Sequence, residues 1–180
     1  MKNRPLRALT EGALMIAVAQ ILSYLNITLV ENGGAIDLAM IPIILYAVRW
    51  GLVPGLLAGM AFGTLQFVFL GIAISWQSIL GDYLIAFGAI GLAALPRHAK
   101  YGIFYGTLVG CVARFLVHFI VGATVWAAYM PDTFFNLTMI SPWFYSALYN
   151  LSFMLPNTAL ALLVFALMHR KLHSYLVPVK

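Results

Sequence analysis

Most charged residues in this chain lie in short segments that separate or flank long apolar stretches. Only 8% of the 180 residues are charged, whereas 63% are hydrophobic. A water-soluble domain of this size could not cover its surface with so few charges. The pattern therefore predicts an all-α integral membrane protein, in which residues 1–180 form a single domain of six transmembrane helices.

The apolar stretches place the six helices. We expect them at residues 8–26, 38–48, 53–70, 78–95, 101–129 and 142–170. The second helix contains Pro42 and is short relative to a hydrocarbon layer of about 30 Å. A polar loop at residues 28–37 joins it to the first helix. Glycines at every fourth position of the third and fifth helices predict close packing between helices.

Positive charge lies on one side of this arrangement. The connections after the odd-numbered helices contain Glu31, Asp37 and Asp132 but neither Lys nor Arg. Nine of the ten Lys and Arg residues lie in the other connections and the tails: Lys2, Arg4, Arg7, Arg49, Arg97, Lys100, Arg170, Lys171 and Lys180. Because short cytoplasmic loops are enriched in Lys and Arg, both termini are expected in the cytoplasm. The net charge of +5 is therefore explained by membrane topology, and we expect no nucleic-acid partner.

Three residues near the outer ends of helices are candidates for a site. Asp82 lies about one turn inside the fourth helix, where a carboxylate is costly and usually functional or paired. The alternative is that it extends to the outer interface. His118 and Trp126 are eight residues apart, so a regular helix places them within about 80° of each other. Alone, the histidine would be an interior polar group and the tryptophan an interfacial residue.

The sixth helix brings Tyr145 and Asn150 to the same outer depth. A carboxylate supplies negative charge, aromatic rings attract a flat cation, and an amide both donates and accepts. The combination favours a binding site for an aromatic cation that is imported from outside. The sequence contains neither a phosphate-binding loop nor a metal-ligand spacing, and Cys111 is the single cysteine. We expect no cofactor and no enzymatic activity.

Arg114 lies one turn deeper than His118 and requires a partner within the membrane. Asn157, at a similar depth on the sixth helix, is the candidate. A pair of this kind is more typical of a structural polar contact than of a ligand site, since the partner is a neutral amide.

Four segments resemble the substrate-binding S-components of energy-coupling factor transporters, and most closely the thiamine-specific subfamily. They are residues 33–42, 82–87, 114–126 and 142–150, the last containing the pattern Tyr-Ser-x-x-Tyr-Asn. The resemblance covers nearly the whole chain. It implies high-affinity thiamine capture at the outer face, with a transmembrane coupling subunit and two ATPase subunits as partners. The pocket residues that it implies are Asp82, Tyr83, His118, Trp126, Tyr145 and Asn150.

The resemblance also implies that Ala13 and Ala17 on the first helix dock onto the coupling subunit, although close packing within this chain is an alternative. Asp37 stands where the family pattern leads us to expect serine, and would add a second anion. Gly33 and Gly34 predict a hinge for a lid in the first loop. The remaining functional alternatives are an S-component for another small vitamin or thiamine precursor, an intramembrane enzyme using Asp82 and His118, and a structural membrane protein without a ligand.

Overall fold

The computed structural model describes residues 3–30 and 34–176, without the side chains of residues 170, 173, 174 and 176. The helices within these ranges are α1 (Arg4–Tyr24), α2 (Met40–Trp50), α3 (Leu52–Leu70), α4 (Trp76–Ala94), α5 (Gly102–Thr124) and α6 (Pro142–Leu176). All except α2 are long and apolar enough to cross a membrane. The predicted all-α membrane fold is confirmed. Lys2, Glu31, Asn32, Gly33 and Lys180, which the sequence analysis used, lie outside the described residues.

Helix α2 is short, as predicted, and lies inside the protein. Its 11 residues rise about 16 Å, roughly half of the hydrocarbon thickness. Ile43, Ile44 and Ala47 have no exposed surface and form the centre of the apolar core. Gly51 ends the helix at a φ of 101°, a backbone conformation that residues other than glycine rarely adopt. This turn allows α3 to begin at the next residue and to pack back against α2.

Glycines on α3 allow α4 to approach it closely. A Cβ atom at Gly59 would collide with the backbone oxygen of Phe87, and one at Gly63 with that of Tyr83. Gly106 on α5 has the same relation to the backbone oxygen of Ala93. The close helix packing predicted from the glycine spacing is therefore confirmed.

Helix α4 changes form along its length. Ser75 and Ser78 make a reciprocal capping box at its start. Residues Ile79–Ile85 then form a π-helix, and the end of α4, Ile90–Ala94, is a 3₁₀-helix. The regular helix expected at residues 78–95 is thus wrong in detail. Asp82 lies at the centre of the π segment, a form of helix that occurs frequently at functional sites.

Two hairpins replace loops at the end of the bundle away from the termini. β1 (Ile27–Val30) pairs antiparallel with β2 (Gly34–Ile36), within the segment predicted to be a polar loop. β3 (Thr133–Phe134) pairs with β4 (Leu137–Thr138) through a turn in which Phe135 and Asn136 have positive φ. Gly34 lies within β2, where a Cβ atom would collide with Val30. Close packing therefore accounts for a glycine at this position, and the hinge expected at Gly33 and Gly34 stays a prediction.

A polar cluster joins three helices at the opposite end of the bundle. Glu11 of α1 accepts hydrogen bonds from Arg49 Nε at 2.8 Å and from Trp50 Nε1 at 2.7 Å, both from α2. Arg49 also donates to the backbone oxygen of Tyr175 on α6 at 2.6 Å. The Arg49 side chain is 8% exposed, whereas Arg7, which also pairs with Glu11, is 63% exposed. Glu11 and Arg49 therefore connect α1, α2 and α6 at this end of the bundle.

Candidate functional site

A cavity of about 320 Å³ lies where the C-terminal ends of α1, α3 and α5 meet the N-terminal halves of α4 and α6. The hairpin β1–β2 contributes to its wall. All six residues that the sequence singled out for substrate binding line this cavity: Asp82, Tyr83, His118, Trp126, Tyr145 and Asn150. The expected juxtaposition of α4, α5 and α6 at one end of the bundle is therefore present.

Both oxygens of the Asp82 carboxylate are held by ring nitrogens. Nδ1 of His118 lies 2.8 Å from Oδ1, and Nε1 of Trp126 donates to Oδ2 at 2.8 Å. The Asp82 and His118 side chains are only 17% and 12% exposed. Asp82 therefore points into the bundle, and the alternative in which it extends to the outer interface is wrong. The carboxylate is fixed in place before any ligand arrives.

Arg114 determines which nitrogen of His118 carries the hydrogen. Its Nε donates to Nε2 of His118 at 3.3 Å, and its guanidinium lies 4.2 Å from the ring centroid of Phe87. A guanidinium can only donate, so Nε2 of His118 must accept. The proton of the neutral ring is then on Nδ1 and is donated to Asp82. This chain of donors places a neutral imidazole beside an ionised carboxylate.

Trp126 reaches the cavity from beyond the end of α5. The helix expected at residues 101–129 ends at Thr124, and a 3₁₀ turn, Ala127–Tyr129, follows Trp126. The Trp126 amide bonds the oxygen of Val121, five residues earlier, which closes the helix. The angular argument from a regular helix is therefore wrong. Trp126 and His118 nevertheless converge, because both rings bind the same carboxylate.

Aromatic rings make up two walls of the cavity. Tyr83 packs 5.3 Å from Phe67, and its hydroxyl both donates to and accepts from the backbone of Ile72. Tyr145 lies 5.7 Å from Tyr149 and packs edge to face against Phe134 at 5.3 Å. Tyr83, Tyr145 and Tyr149 thus give aromatic surface to a cavity that polar side chains also line.

Asn150 is buried and is held by its neighbour one turn earlier. Its amide nitrogen donates to the backbone oxygen of Ser146 at 2.8 Å and lies 3.2 Å from the Ser146 hydroxyl. That hydroxyl donates to the oxygen of Phe119 on α5. Gly122 permits this approach, because a Cβ atom there would collide with the Ser146 hydroxyl. With its nitrogen bound to Ser146, Asn150 has its amide oxygen to offer a ligand.

Asn157 holds the first hairpin and is not the partner of Arg114. Its amide donates to the oxygen of Ala35 and accepts from the nitrogen of Asp37, both at 2.8 Å. The expectation that Asn157 pairs with Arg114 is therefore wrong, since the backbone of β2 and of the residue after it occupies both amide groups. Arg114 instead contacts His118 and Phe87.

Asp37 lies in the cavity wall, shortly before α2 begins at Met40. Its Oδ1 accepts the amide hydrogen of Ala39 at 2.8 Å. Burial raises the pKa of the Asp37 carboxyl, although the Ala39 hydrogen bond and the positive charge of Arg114 oppose this shift. A second carboxylate therefore faces the same cavity as Asp82.

The sequence argument did not assign several other lining residues to the cavity. They include Ser23, Gln66, Tyr129, Ser146, Tyr149 and Phe153. Polar residues within apolar spans were the available signal for Ser23 and Gln66, whose side chains bond each other at 2.9 Å. Tyr149 and Ser146 belong to the Tyr-Ser-x-x-Tyr-Asn pattern and could have been found from it.

Ala13 and Ala17 lie on the exposed face of α1, outside the cavity. The alternative that they pack within this chain is therefore not supported. The buried residues of α1 are Gly12, Ala19, Gln20 and Ser23, and neither alanine is among them.

A multi-pass membrane fold that encloses an aromatic, carboxylate-containing cavity at one end of its bundle defines a small-molecule-binding membrane protein. Residues 9–177 match the model of the thiamine transporter protein family. The chain is 29% identical to thiamine transporter ThiT of Bacillus subtilis strain 168, over 93% of this chain and 92% of that protein. It is 30% identical to ThiT of Lacticaseibacillus paracasei strain ATCC 334, over 91% of this chain and 87% of that protein. The chain belongs to the thiamine transporter protein family.

Solved structures support the fold. The structure of ThiT from Listeria monocytogenes is similar with a TM-score of 0.85 at 22% identity, covering 98% of this chain and all of that one. The S component of a bacterial ECF transporter is similar with a TM-score of 0.66 at 14% identity, covering 97% of this chain and 99% of that one. Since the family consists of transporters, the alternative of an intramembrane enzyme is not supported.

Proposed function

We propose that this chain is the thiamine-binding subunit of an uptake transporter. The observation that carries the proposal is the Asp82 carboxylate, held by His118 and Trp126 inside an aromatic cavity. Thiamine joins a permanently charged thiazolium ring to a flat aminopyrimidine. The carboxylate supplies the opposing charge, and the rings of Trp126 and Tyr145 supply faces for a cation and a heterocycle.

The proposed contacts divide between charge and hydrogen bonding. Both oxygens of Asp82 already accept hydrogen bonds, so this residue acts on a ligand mainly through its charge. A thiazolium ring has no N–H to donate and requires only such a charge. The aminopyrimidine has donors and acceptors on its edge, and the amide oxygen of Asn150 is a group that could accept from it. Tyr83 contributes its ring, since its hydroxyl is bound to Ile72.

The cavity is proposed to face the outside, and both termini the cytoplasm. Arg49 and Arg97 lie at the bundle end opposite the cavity. Because cytoplasmic loops are enriched in Lys and Arg, their position supports this orientation. We propose a single substrate-binding domain for residues 1–180. Its partners would be a transmembrane coupling subunit and two ATPase subunits, with the exposed face of α1 at Ala13 and Ala17 as the docking surface.

A fluorescence titration of the purified chain tests the proposal. Thiamine should quench tryptophan emission saturably, because Trp126 lies in the cavity wall. Thiamine phosphates, the isolated pyrimidine half and riboflavin serve as comparison ligands. Tighter binding of riboflavin or of the pyrimidine half than of thiamine would favour an S-component for another vitamin or precursor. The absence of any response to these compounds would contradict the assignment.

A further inference from the structure

The charges that face the cavity do not balance. Among the described lining residues, the carboxylates are Asp37 and Asp82 and the cationic group is Arg114. His118 is neutral, because it accepts from Arg114 through Nε2 and donates to Asp82 through Nδ1. Two negative groups and one positive group leave the wall with a net charge of −1.

Asp37 is fixed as part of this wall. Its amide donates to Asn157 and its Oδ1 accepts from Ala39, so the backbone and one carboxylate oxygen are both held. The ion pairs among the described residues join Arg7 and Arg49 to Glu11, whereas the neutral ring of His118 makes a hydrogen bond to Asp82. Asp37 is therefore not neutralised by direct contact with a cation. The positive charge of Arg114 opposes the burial-induced rise in the pKa of Asp37, but one positive group does not cancel two carboxylates.

We infer that Asp37 is a specificity-determining residue that makes the cavity complementary to a single positive charge and disfavours phosphate esters of the same cation. This inference rests on the proposed thiamine-binding function. The thiazolium charge of +1 would bring the occupied cavity to neutrality. A phosphate group adds about −1.5 to −2 at pH 7, so the monophosphate would carry net negative charge into a negative cavity. Charges that line a partly buried cavity interact more strongly than charges in bulk water.

Paired titrations of the full chain with thiamine and thiamine monophosphate at pH 7.5 test the inference. The quantity measured is the ratio of their dissociation constants. Asp37→Asn retains an oxygen that can accept the Ala39 hydrogen bond but removes the charge. Its ratio should fall on the order of tenfold relative to the unmodified chain, through weaker thiamine binding, tighter monophosphate binding or both. Asp37→Glu keeps the charge and should keep the preference for thiamine.

Two further variants serve as controls. Asp132→Asn removes a negative charge from the same end of the bundle, at an exposed residue outside the cavity, and should leave the ratio unchanged. Asp37→Ser is a second neutral variant whose hydroxyl can also accept from Ala39, and it decides the matter if Asp37→Asn does not fold. If a folded neutral variant still binds thiamine with an unchanged ratio of dissociation constants, Asp37 does not determine specificity. The proposed thiamine-binding function would be unaffected by that result. Failure of the unmodified chain to bind thiamine would overturn the proposed function, and this inference with it.

Discussion

The indole nitrogen of Trp126 donates a 2.8 Å hydrogen bond to the carboxylate of Asp82, 44 residues earlier in the chain. One residue lies in a π-helical segment of α4, and the other follows the end of α5. This bond connects the charged group and an aromatic group of the cavity. Because the two side chains share this bond, a substitution of either one also changes the surroundings of the other.

Asp82→Asn should weaken thiamine binding while leaving the fold intact. The substitution keeps the size of the side chain but removes the charge that would oppose a thiazolium ring. Loss of a charge-assisted contact in a partly desolvated site costs about 1.5–3 kcal/mol, which corresponds to roughly 10- to 150-fold in dissociation constant. Calorimetric or fluorescence titration measures the change. An unaltered affinity would remove Asp82 from the binding site.

Trp126→Phe should abolish most of the ligand-dependent quenching and reduce affinity. The indole faces the cavity and binds Asp82, whereas phenylalanine retains a ring but cannot donate this hydrogen bond. Trp143→Phe is the matched control, since Trp143 packs on Phe119 and is not among the cavity-lining residues. If the quenching were lost with Trp143 instead, the proposed position of the ligand would be incorrect.

Ala13→Trp and Ala17→Trp should impair uptake without impairing thiamine binding by the isolated subunit. An indole on this face of α1 would keep a closely packed helix of a coupling subunit at a distance. The measurements are thiamine uptake in cells with the complete transporter and titration of the purified chain. Val112→Trp, on an exposed face of α5, controls for added bulk facing lipid. Normal uptake in both alanine variants would exclude this face as the docking surface.

Asp37→Asn should raise the thermal stability of the ligand-free protein at neutral pH. Because burial raises the pKa of Asp37 in the folded state, its ionised form is disfavoured there relative to the unfolded chain. That cost is fully present above the folded-state pKa and disappears as pH falls towards the ordinary value of 3.8. The difference in Tm between the variant and the unmodified chain should therefore shrink on acidification. A variant less stable than the unmodified chain at pH 7.5 would contradict this expectation.

Glu11→Gln should destabilise the bundle at the end opposite the cavity. It leaves the buried guanidinium of Arg49 without its carboxylate, and breaking such a pair costs about 3 kcal/mol. Arg7→Gln removes the exposed partner of the same carboxylate and should cost less than about 1 kcal/mol. Thermal unfolding in detergent distinguishes the two variants. Equal losses of Tm would show that the cluster is not dominated by the Arg49 pair.

The sequence was sufficient for the positions of the helices and for six of the residues that line the cavity. Long apolar runs separated by charged connections determine the spans, because a lipid environment requires apolar residues to be contiguous along the chain. Asp82 and His118 stood out because polar side chains within such runs are costly. Their convergence followed from topology alone, since each was expected near the outer end of its helix.

The remaining features depend on contacts that periodicity does not encode. Trp126 was placed on a regular helix, yet the chain leaves α5 at Thr124 and the indole is positioned by its bond to Asp82. The segment of hairpin β1–β2 was predicted to be a loop because it contains Glu31, Asn32, Gly33 and Gly34. Its position depends on the amide of Asn157, a residue more than 120 positions from Ala35. Such long-range pairs are not visible in a single sequence.

The π segment of α4 resolves a conflict of register within one helix. On its packing side, the backbone at Tyr83 and Phe87 must meet Gly63 and Gly59, while Asp82 must face His118. Deleting one residue between 79 and 85 would restore α-helical winding and turn everything on one side of the deletion by about 100°. Either the carboxylate or the glycine contacts would then be misaligned. The additional residue in this turn allows α4 to pack tightly against α3 and also to direct the Asp82 carboxylate into the cavity.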